Sequence, residues 1–222
     1  MYLPIDQIHQ LTKCCEQLGV PKARLFAFAD LDEKICHRDI VPLKCFIELV
    51  DAALVLTEDP HIGIVLGKRL NFMKHGAVGA LAFASPTGAD SLLAFVDHSQ
   101  RANAPFMKIQ QCIDGDEIQI TLTPLPSVQS IRKFAVDTAL SSCITMIRVM
   151  MSGVGSDSLI KKAVKYFSVS YAAPSSIKEL KRYQDALVVP IKFDQAECQI
   201  VFYSSFADKE NPYSSSAIID TM

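Results

Sequence analysis

The hydrophobic periodicity of the chain changes at Pro105, and this change constrains the fold more than any other feature of the sequence. Before Pro105, apolar residues recur with helical spacing. After it, the segments FMKIQQCID and EIQITLTPL alternate apolar and polar residues on either side of Gly115 and Asp116. Alternation around a tight, glycine-containing turn predicts a β-hairpin. A helical part, 1–104, is therefore expected to precede an α/β part, 105–206.

Helix start and stop signals divide the amino-terminal part. The predicted helices are 4–18, 20–30, 40–58, one that begins at Pro60, 76–84 and 88–103. Gly63 and Gly67 lie four residues apart in the helix from Pro60, so one face of that helix is bare and another backbone can approach it closely. Thr87, with Asp90 three residues later, is expected to cap helix 88–103.

The α/β part mixes helices and strands in an irregular order. A long, mostly apolar helix is predicted from Ser127 to about Ser152. It is followed by a strand in AVKYFSVSY, a short charged helix through Arg182, a strand-like run ALVVPIKF and a last strand in CQIVFYSSF. Pro190 limits the run ALVVPIKF to a sheet edge or an irregular piece. The order predicts an α+β fold, in which a helical amino-terminal half packs on a small mixed or antiparallel sheet with a long buried helix.

Composition and charge exclude several classes of protein. The 222 residues carry a formal net charge of −2 and a pI near 6.2, whereas a free-standing nucleic-acid-binding domain is usually basic. The longest apolar runs fall well short of the ~20 residues that cross a bilayer. Residues 1–10 contain Asp6 and lack the basic flank of a signal peptide. The seven cysteines have no zinc-ligand spacing and most sit in apolar runs, which indicates buried, reduced thiols in a cytoplasmic protein with no membrane partner.

Motifs for catalysis and for cofactor binding are absent from the sequence. There is no G-x-S-x-G elbow, no Walker loop and no dinucleotide fingerprint. The five histidines are scattered, and none lies three or four residues from another. We therefore expect no enzymatic activity, no metal site and no cofactor.

A polar stripe on the long helix is the main candidate for a binding site. Asp137, Ser141, Thr145 and Arg148 are spaced by four, four and three residues, so they share one face. In one interpretation this face meets water, or Arg148 stabilises the carboxyl end of the helix. In the other it lines an internal pocket, where Arg148 holds an anion and Thr145 or Ser141 orients it.

Two further residues are candidate ligand contacts. His75 lies at a break between two predicted helices, where it is either an exposed loop residue or a hydrogen-bond partner for a ligand. Tyr166 and Tyr171 bracket the strand after the long helix. Because they are five residues apart, at most one of them faces a given pocket, and Tyr166 is the candidate.

Motif order along the chain resembles one family. Residues 60–100, PHIGIVLGKRLNFMKHGAVGALAFASPTGADSLLAFVDHSQ, contain Pro60, Gly63 and Gly67 in one helix, a G-x-x-G step and a Ser-Pro-Thr turn. A strand pair, a long helix ending in R-x-x-x-x-G, and the element VPIKF follow. This order, from residue 3 to 206, resembles the amino-terminal sensory domain of AraC-type transcriptional regulators. That domain is called arabinose-binding-like, although it is not the cupin that binds arabinose.

The resemblance implies a function and partners. It implies a ligand-sensing and dimerisation domain that binds a small-molecule effector, forms a homodimer, and reaches DNA only through a carboxy-terminal module with two helix-turn-helix units. That module is not in these 222 residues, so the polar segment 207–222 is expected to be the start of a linker to it. The alternative is a protein–protein interaction module that dimerises without a ligand.

Overall fold

A computed structural model describes residues 1–70, 84–101, 106–150, 157–211 and 214. In the helical part the elements are β1 (Tyr2–Pro4), α1 (Asp6–Gln17), α2 (Lys22–Phe28), a 3₁₀-helix (Glu33–His37), β2 (Ile40–Pro42), α3 (Leu43–Thr57) and α4 (Ile62–Arg69). The α-helices agree with the predicted segments. The predicted helix 76–84 lies outside the described residues except for Ala84.

The antiparallel strand pair β1–β2 was not predicted from the sequence, which placed helix starts at residues 4 and 40. Leu3 and Val41 each precede a proline, and that position favours extended backbone over helix. Both side chains are buried and face each other in the pair. Each helix therefore starts just after its proline.

The α/β part follows the predicted order, with two additions. The helical part ends with α5 (Gly88–Arg101). The elements of the α/β part are β3 (Met107–Asp114), β4 (Glu117–Pro124), a 3₁₀-helix (Pro126–Ile131), α6 (Arg132–Met150), α7 (Asp157–Ala163), β5 (Val164–Ser168), α8 (Ile177–Leu187), β6 (Ile191–Lys192), β7 (Gln199–Tyr203) and α9 (Ser204–Ala207). The short helices α7 and α9 were not predicted. The long helix begins at Arg132 rather than Ser127, because residues Pro126–Ile131 form a separate 3₁₀-helix with non-helical backbone at Val128.

The five strands of the α/β part form one mixed sheet in the order β3-β4-β7-β5-β6. All neighbouring pairs are antiparallel except β5–β6, which is parallel. The hairpin β3–β4 turns at Gly115, whose φ is +56°, and β6 follows Pro190 at an edge of the sheet, both as predicted. The fold is α+β, and the predicted class is confirmed.

Two apolar cores meet along α6. One contains the sheet with α5, α7 and α8, and includes Leu140, Ile144 and Ile147 of α6. The other contains α1 to α4 and includes Phe134 from the first turn of α6. Helix α6 is thus the long buried helix that the sequence predicted.

The bare face of α4 lies against α6. A Cβ atom on Gly63 would lie 2.5 Å from the Phe134 carbonyl oxygen, and one on Gly67 would lie 2.4 Å from the Thr138 carbonyl oxygen. Such distances are shorter than any side-chain contact allows, so the two helices pack backbone to backbone. The predicted role of these glycines is confirmed.

The Ser-Pro-Thr turn before α5 is held by the chain that follows α9. The Thr87 hydroxyl accepts a hydrogen bond from the Asp90 backbone N–H at 3.2 Å, which confirms the predicted cap. The Gly88 N–H donates to the Lys209 carbonyl at 3.0 Å, and the Asn211 N–H donates to the Pro86 carbonyl at 2.8 Å. Residues 209–211, which fall in the predicted linker, therefore contact the domain, while the boundary at 206 stays a prediction.

Seven free cysteines are distributed through the fold. Cys14, Cys15, Cys143 and Cys198 are buried, Cys36 and Cys45 are half-buried, and Cys112 is exposed. Burial raises the pKa of the Cys14 thiol to about 11 and that of Cys143 to about 12, so these thiols stay protonated at neutral pH. Within the described ranges, no helix is both long enough and apolar enough to span a membrane.

Candidate functional site

A buried carboxylate, Asp137 in the first half of α6, is the centre of a polar cluster. Its side chain is 1% exposed. It accepts hydrogen bonds from the hydroxyls of Tyr171 and Tyr183, the latter at 3.0 and 2.9 Å to its two oxygens. Lys133, one turn earlier on α6, forms an ion pair with it at 2.8 Å. A buried charge is stable only when it is paired and hydrogen-bonded in this way.

His61 lies beside this carboxylate, at the residue before α4, and is 2% exposed. Its Nδ1 atom is 3.3 Å from the Lys133 ammonium nitrogen. Because an ammonium group only donates, Nδ1 accepts this bond, and neutral His61 carries its proton on Nε2. Nε2 is buried, has no hydrogen-bond partner among the residues that the structure describes, and lies 3.9 Å from the Glu179 carboxylate. Burial lowers the pKa of His61, and the positive charge of Lys133 lowers it further.

An Asp59–Arg182 pair completes the cluster at its outer side. The guanidinium binds the carboxylate with two parallel hydrogen bonds of 2.8 Å, the strongest geometry for such a pair. Burial acts to raise the pKa of Asp59. Hydrogen bonds from Arg182 and from the His61 backbone N–H outweigh burial and hold that pKa below its usual value.

The cluster joins elements that are distant in the sequence. Asp59 and His61 precede α4, Lys133 and Asp137 belong to α6, Tyr171 follows β5, and Glu179, Arg182 and Tyr183 belong to α8. It therefore connects the helical part with the edge of the sheet. Burial raises the pKa values of Tyr171 and Tyr183, and the charge of Asp137 raises them further, so both hydroxyls remain donors. We call this set of eight residues the polar joint.

The side chains of the polar joint connect the start of α4 with α6 and α8 through hydrogen bonds and ion pairs. Among its buried side-chain nitrogen and oxygen atoms, His61 Nε2 is the one without a hydrogen-bond partner in the described residues. In the part of the chain that the structure describes, no group of three His, Cys, Asp or Glu side chains could hold a metal ion.

The predicted stripe on α6 runs from the interior to the surface. Asp137 enters the polar joint. Ser141 is buried and donates to the Ile64 carbonyl of α4 at 2.9 Å, and Thr145 donates to the Ser141 carbonyl at 3.1 Å. Arg148 is 34% exposed and pairs with Asp157 of α7 at 2.9 Å. Thus, Ser141 and Arg148 each contact a neighbouring element, and ligand binding by the stripe stays a prediction.

Of the other two predicted contacts, the structure describes only Tyr166, which does not join the stripe. Tyr166 lies on the sheet face that carries Gln119, and the Lys192 ammonium group sits 3.4 Å from its ring centre. Tyr171, rather than Tyr166, is the tyrosine that reaches the polar joint. His75 lies outside the described residues.

An open groove of about 400 Å³ lies beside β1 and the start of α3. Its lining residues are Met1, Tyr2, Pro42, Leu43, Lys44, Ile47 and Ser127. The lining is mainly apolar, and its volume is within the range of small-molecule sites. The sequence does not predict this groove, because residues from three distant segments form it.

Residues 19–211 match the family described as the arabinose-binding domain of AraC transcription regulators, amino-terminal. The chain belongs to this family, and it is a regulatory sensing domain of AraC-type transcription regulators. The resemblance found in the sequence is confirmed.

Among solved structures, the transcriptional regulator CdpR from Pseudomonas aeruginosa is similar to this chain, with a TM-score of 0.62 and 14% sequence identity. The match covers 88% of this chain and 57% of that one, so the chain spans little more than half the length of its structural relative. At this identity the likeness shows the fold alone. No curated protein matches the chain.

Proposed function

We propose that this chain is the effector-sensing and dimerisation domain of a cytoplasmic AraC-type regulator that contacts DNA through a separate helix-turn-helix module. The observation that carries the proposal is the family match over residues 19–211. An effector that binds one arrangement of the domain more tightly shifts the population toward it, and the rest of the regulator responds to that shift. Such sensing operates through differential binding and needs no catalytic step.

The polar joint supports this mechanism because it connects the two cores. An effector bound on either half changes the relative stability of arrangements that differ at α4, α6 and α8. Buried hydrogen-bonded pairs are broken at a high free-energy cost, so such a connection favours few discrete arrangements.

Arg148 is the residue we propose as an anion contact. Its guanidinium is partly exposed, and its partner Asp157 is more exposed still, so a carboxylate or phosphate of an effector can replace that partner. Ser141, Thr145, His75 and Tyr166 remain secondary candidates. The Ser141 and Thr145 hydroxyls already donate to backbone carbonyls, so they would offer an effector mainly acceptor oxygens.

A thermal-shift screen with amino acids, carboxylic acids, sugars and aromatic acids tests the proposal. A ligand present at 100 times its Kd adds about 2.7 kcal/mol to the free energy of unfolding. This raises the Tm of a domain of this size by roughly 5–10 °C. Arg148→Ala should abolish the shift for an anionic effector, and Arg24→Ala, which removes an exposed guanidinium on α2, is the matched control. If Arg148→Ala left the ligand-induced rise in Tm unchanged, Arg148 would not belong to the binding site, and the sensing function would still be supported.

A ligand-free dimerisation module is the second candidate. It is favoured by one observation, that Ser141, Thr145 and Arg148 each already have a protein partner. If no compound class raised the Tm, and the Tm instead rose with protein concentration, this candidate would be supported over effector sensing.

A further inference from the structure

The groove beside β1 and the start of α3 lies between the two parts of the chain. Six of the seven lining residues that the structure describes come from the helical part, in the segments 1–2 and 42–47. The seventh, Ser127, belongs to the 3₁₀-helix that leads into α6. A molecule in this groove therefore contacts both parts, and its binding favours arrangements in which they lie close together.

Large apolar side chains at this groove are open to solvent. Met1 is 59% exposed and Tyr2 is 63% exposed, while Ile47 of α3 is half-buried and Leu43 is buried. A group of exposed apolar side chains around a concave surface is typical of a binding site. A ligand with an apolar body would remove these side chains from water, which favours binding.

A positive charge stands at the same groove. Among the lining residues that the structure describes, Lys44 in the first turn of α3 has the one charged side chain. That side chain is 86% exposed, and its ion pair with Glu48 is 3.6 Å long, so the ammonium group can exchange this partner for a ligand. Within the described residues, no side chain caps the first turn of α3, and the positive end of the helix dipole adds to the charge of Lys44.

We propose that this groove binds the effector, and that the effector is a carboxylate with an apolar body. The apolar lining contacts the body, and Lys44 pairs with the carboxylate. The groove volume of about 400 Å³ suits a small molecule of this kind. The inference rests on the proposed function, because it gives the effector a binding site and a chemical class. Arg148 is not among the residues that line the groove, so variants of Arg148 and of the groove distinguish the two sites.

A series of straight-chain carboxylates from butanoate to decanoate tests the apolar lining. Titration calorimetry on the 222-residue chain measures the Kd of each compound and of the primary alcohol of the same length. Each additional methylene that is buried should lower the Kd about fourfold until the groove is full. A Kd that does not change with chain length would contradict contact between the ligand body and the apolar lining.

Lys44→Ala tests the charged contact. It should raise the Kd of octanoate about three- to fivefold and leave the Kd of octanol unchanged, because it removes the ammonium group and keeps the apolar lining. The matched control is Lys34→Ala, since Lys34 is also 86% exposed and also pairs at 3.6 Å, with Asp32. The control should leave both Kd values unchanged. An equal octanoate Kd in Lys44→Ala and in the parent chain would overturn the pairing with Lys44.

Ser127→Trp tests the position of the site. An indole ring at this lining residue takes up space in the groove, so the Kd values of octanoate and octanol should both rise more than tenfold. Ser130→Trp is the control, because Ser130 lies on the same 3₁₀-helix and is not among the lining residues. Both serines are exposed, so neither variant adds atoms to a packed core.

The outcomes separate this inference from the proposed function. Octanoate binding that Ser127→Trp weakens and Ser130→Trp preserves would support the inference. Octanoate binding that is unchanged in Ser127→Trp would overturn the inference alone, and its loss in Arg148→Ala would then place the effector at Arg148. A rise in Tm with sugars and with no carboxylate would also overturn the inference alone. If no compound class raised the Tm, the inference and effector sensing would fail together.

Discussion

At the residue scale, Asp137 carries the largest predicted effect on stability. Asp137→Asn keeps the shape of the side chain but replaces one acceptor oxygen by an NH₂ group that faces donors. Tyr171, Tyr183 and Lys133 then compete for the remaining oxygen. Breaking a buried pair in this way lowers the free energy of unfolding by about 3 kcal/mol, which urea denaturation measures as a lower midpoint with an unchanged slope.

The matched control for Asp137→Asn is Glu48→Gln on α3. Glu48 pairs with Lys44 at 3.6 Å on the surface, and such pairs contribute only about 0–1 kcal/mol. If both variants changed the midpoint equally, Asp137 would not be stabilised by its partners more than a surface carboxylate is.

His61 gives the fold a dependence on pH. Its pKa in the folded chain is lower than the usual 6.5, so the unfolded chain binds more protons as the pH falls below that value. Stability therefore decreases from about pH 6.5 downward until the pH reaches the folded-state pKa. The groups that face His61 are Lys133, Asp137, Glu179 and Arg182.

His61→Gln should reduce this dependence, since glutamine can still accept from Lys133 and does not titrate. Denaturation at several values between pH 7 and 5 gives the slope of unfolding free energy for each chain. The other histidines contribute equally to the slopes of the parent chain and of the variant. The difference between the two slopes therefore measures the contribution of His61. Parallel curves would show that His61 titrates alike in the folded and unfolded chains.

Sequence reasoning could find only part of the polar joint. Lys133 and Asp137 lie one helical turn apart, and that spacing alone predicts a pair. The partners Asp59 and Arg182 are separated by 123 residues, and Tyr183 meets Asp137 only because α8 packs on α6. No local pattern records such contacts, which depend on how the helices pack.

At the element scale, the contact between α4 and α6 depends on Gly67. In Gly67→Ala the new Cβ would lie 2.4 Å from the Thr138 carbonyl oxygen and 2.7 Å from the Ser141 Cβ, and neither atom is the end of a flexible side chain. We expect the free energy of unfolding to decrease by about 1–3 kcal/mol, even though alanine favours helix over glycine by about 1 kcal/mol.

Lys68→Ala, on the exposed face of the same helix, is the control for Gly67→Ala. It changes the helix propensity little and adds no atom against α6. Thermal unfolding of both variants separates packing from propensity. A more stable Gly67→Ala chain would mean that α4 can move away from α6 at little cost.

The elements that the sequence predicted well have local causes. The hairpin follows from alternation around Gly115, and the edge position of β6 follows from Pro190. By contrast, α7 is a seven-residue helix, shorter than the length at which periodicity is informative. Strands β1 and β2 are three residues each and exist because they pair with each other.

At the scale of the whole molecule, the segment 209–211 closes the fold onto the turn before α5. Asn211 is 6% exposed, and its side-chain amide donates to the Ser85 carbonyl at 2.9 Å. Its backbone N–H donates to the Pro86 carbonyl. This segment was predicted to begin a linker because its composition is polar, and polar composition does not distinguish a linker from a segment held by hydrogen bonds.

Asn211→Ala tests whether the domain ends at residue 206 or continues through this segment. Loss of the side-chain amide leaves the buried Ser85 carbonyl with one donor fewer, so we expect a decrease of about 1–2 kcal/mol in the free energy of unfolding. Ser214→Ala is the control, because Ser214 is exposed. A chain shortened to Phe206 should lose at least as much, since it also lacks the Gly88–Lys209 bond. If the parent chain, the two point variants and the shortened chain were equally stable, the domain boundary would lie at 206. Residues 209–211 would then move independently of the sensing domain.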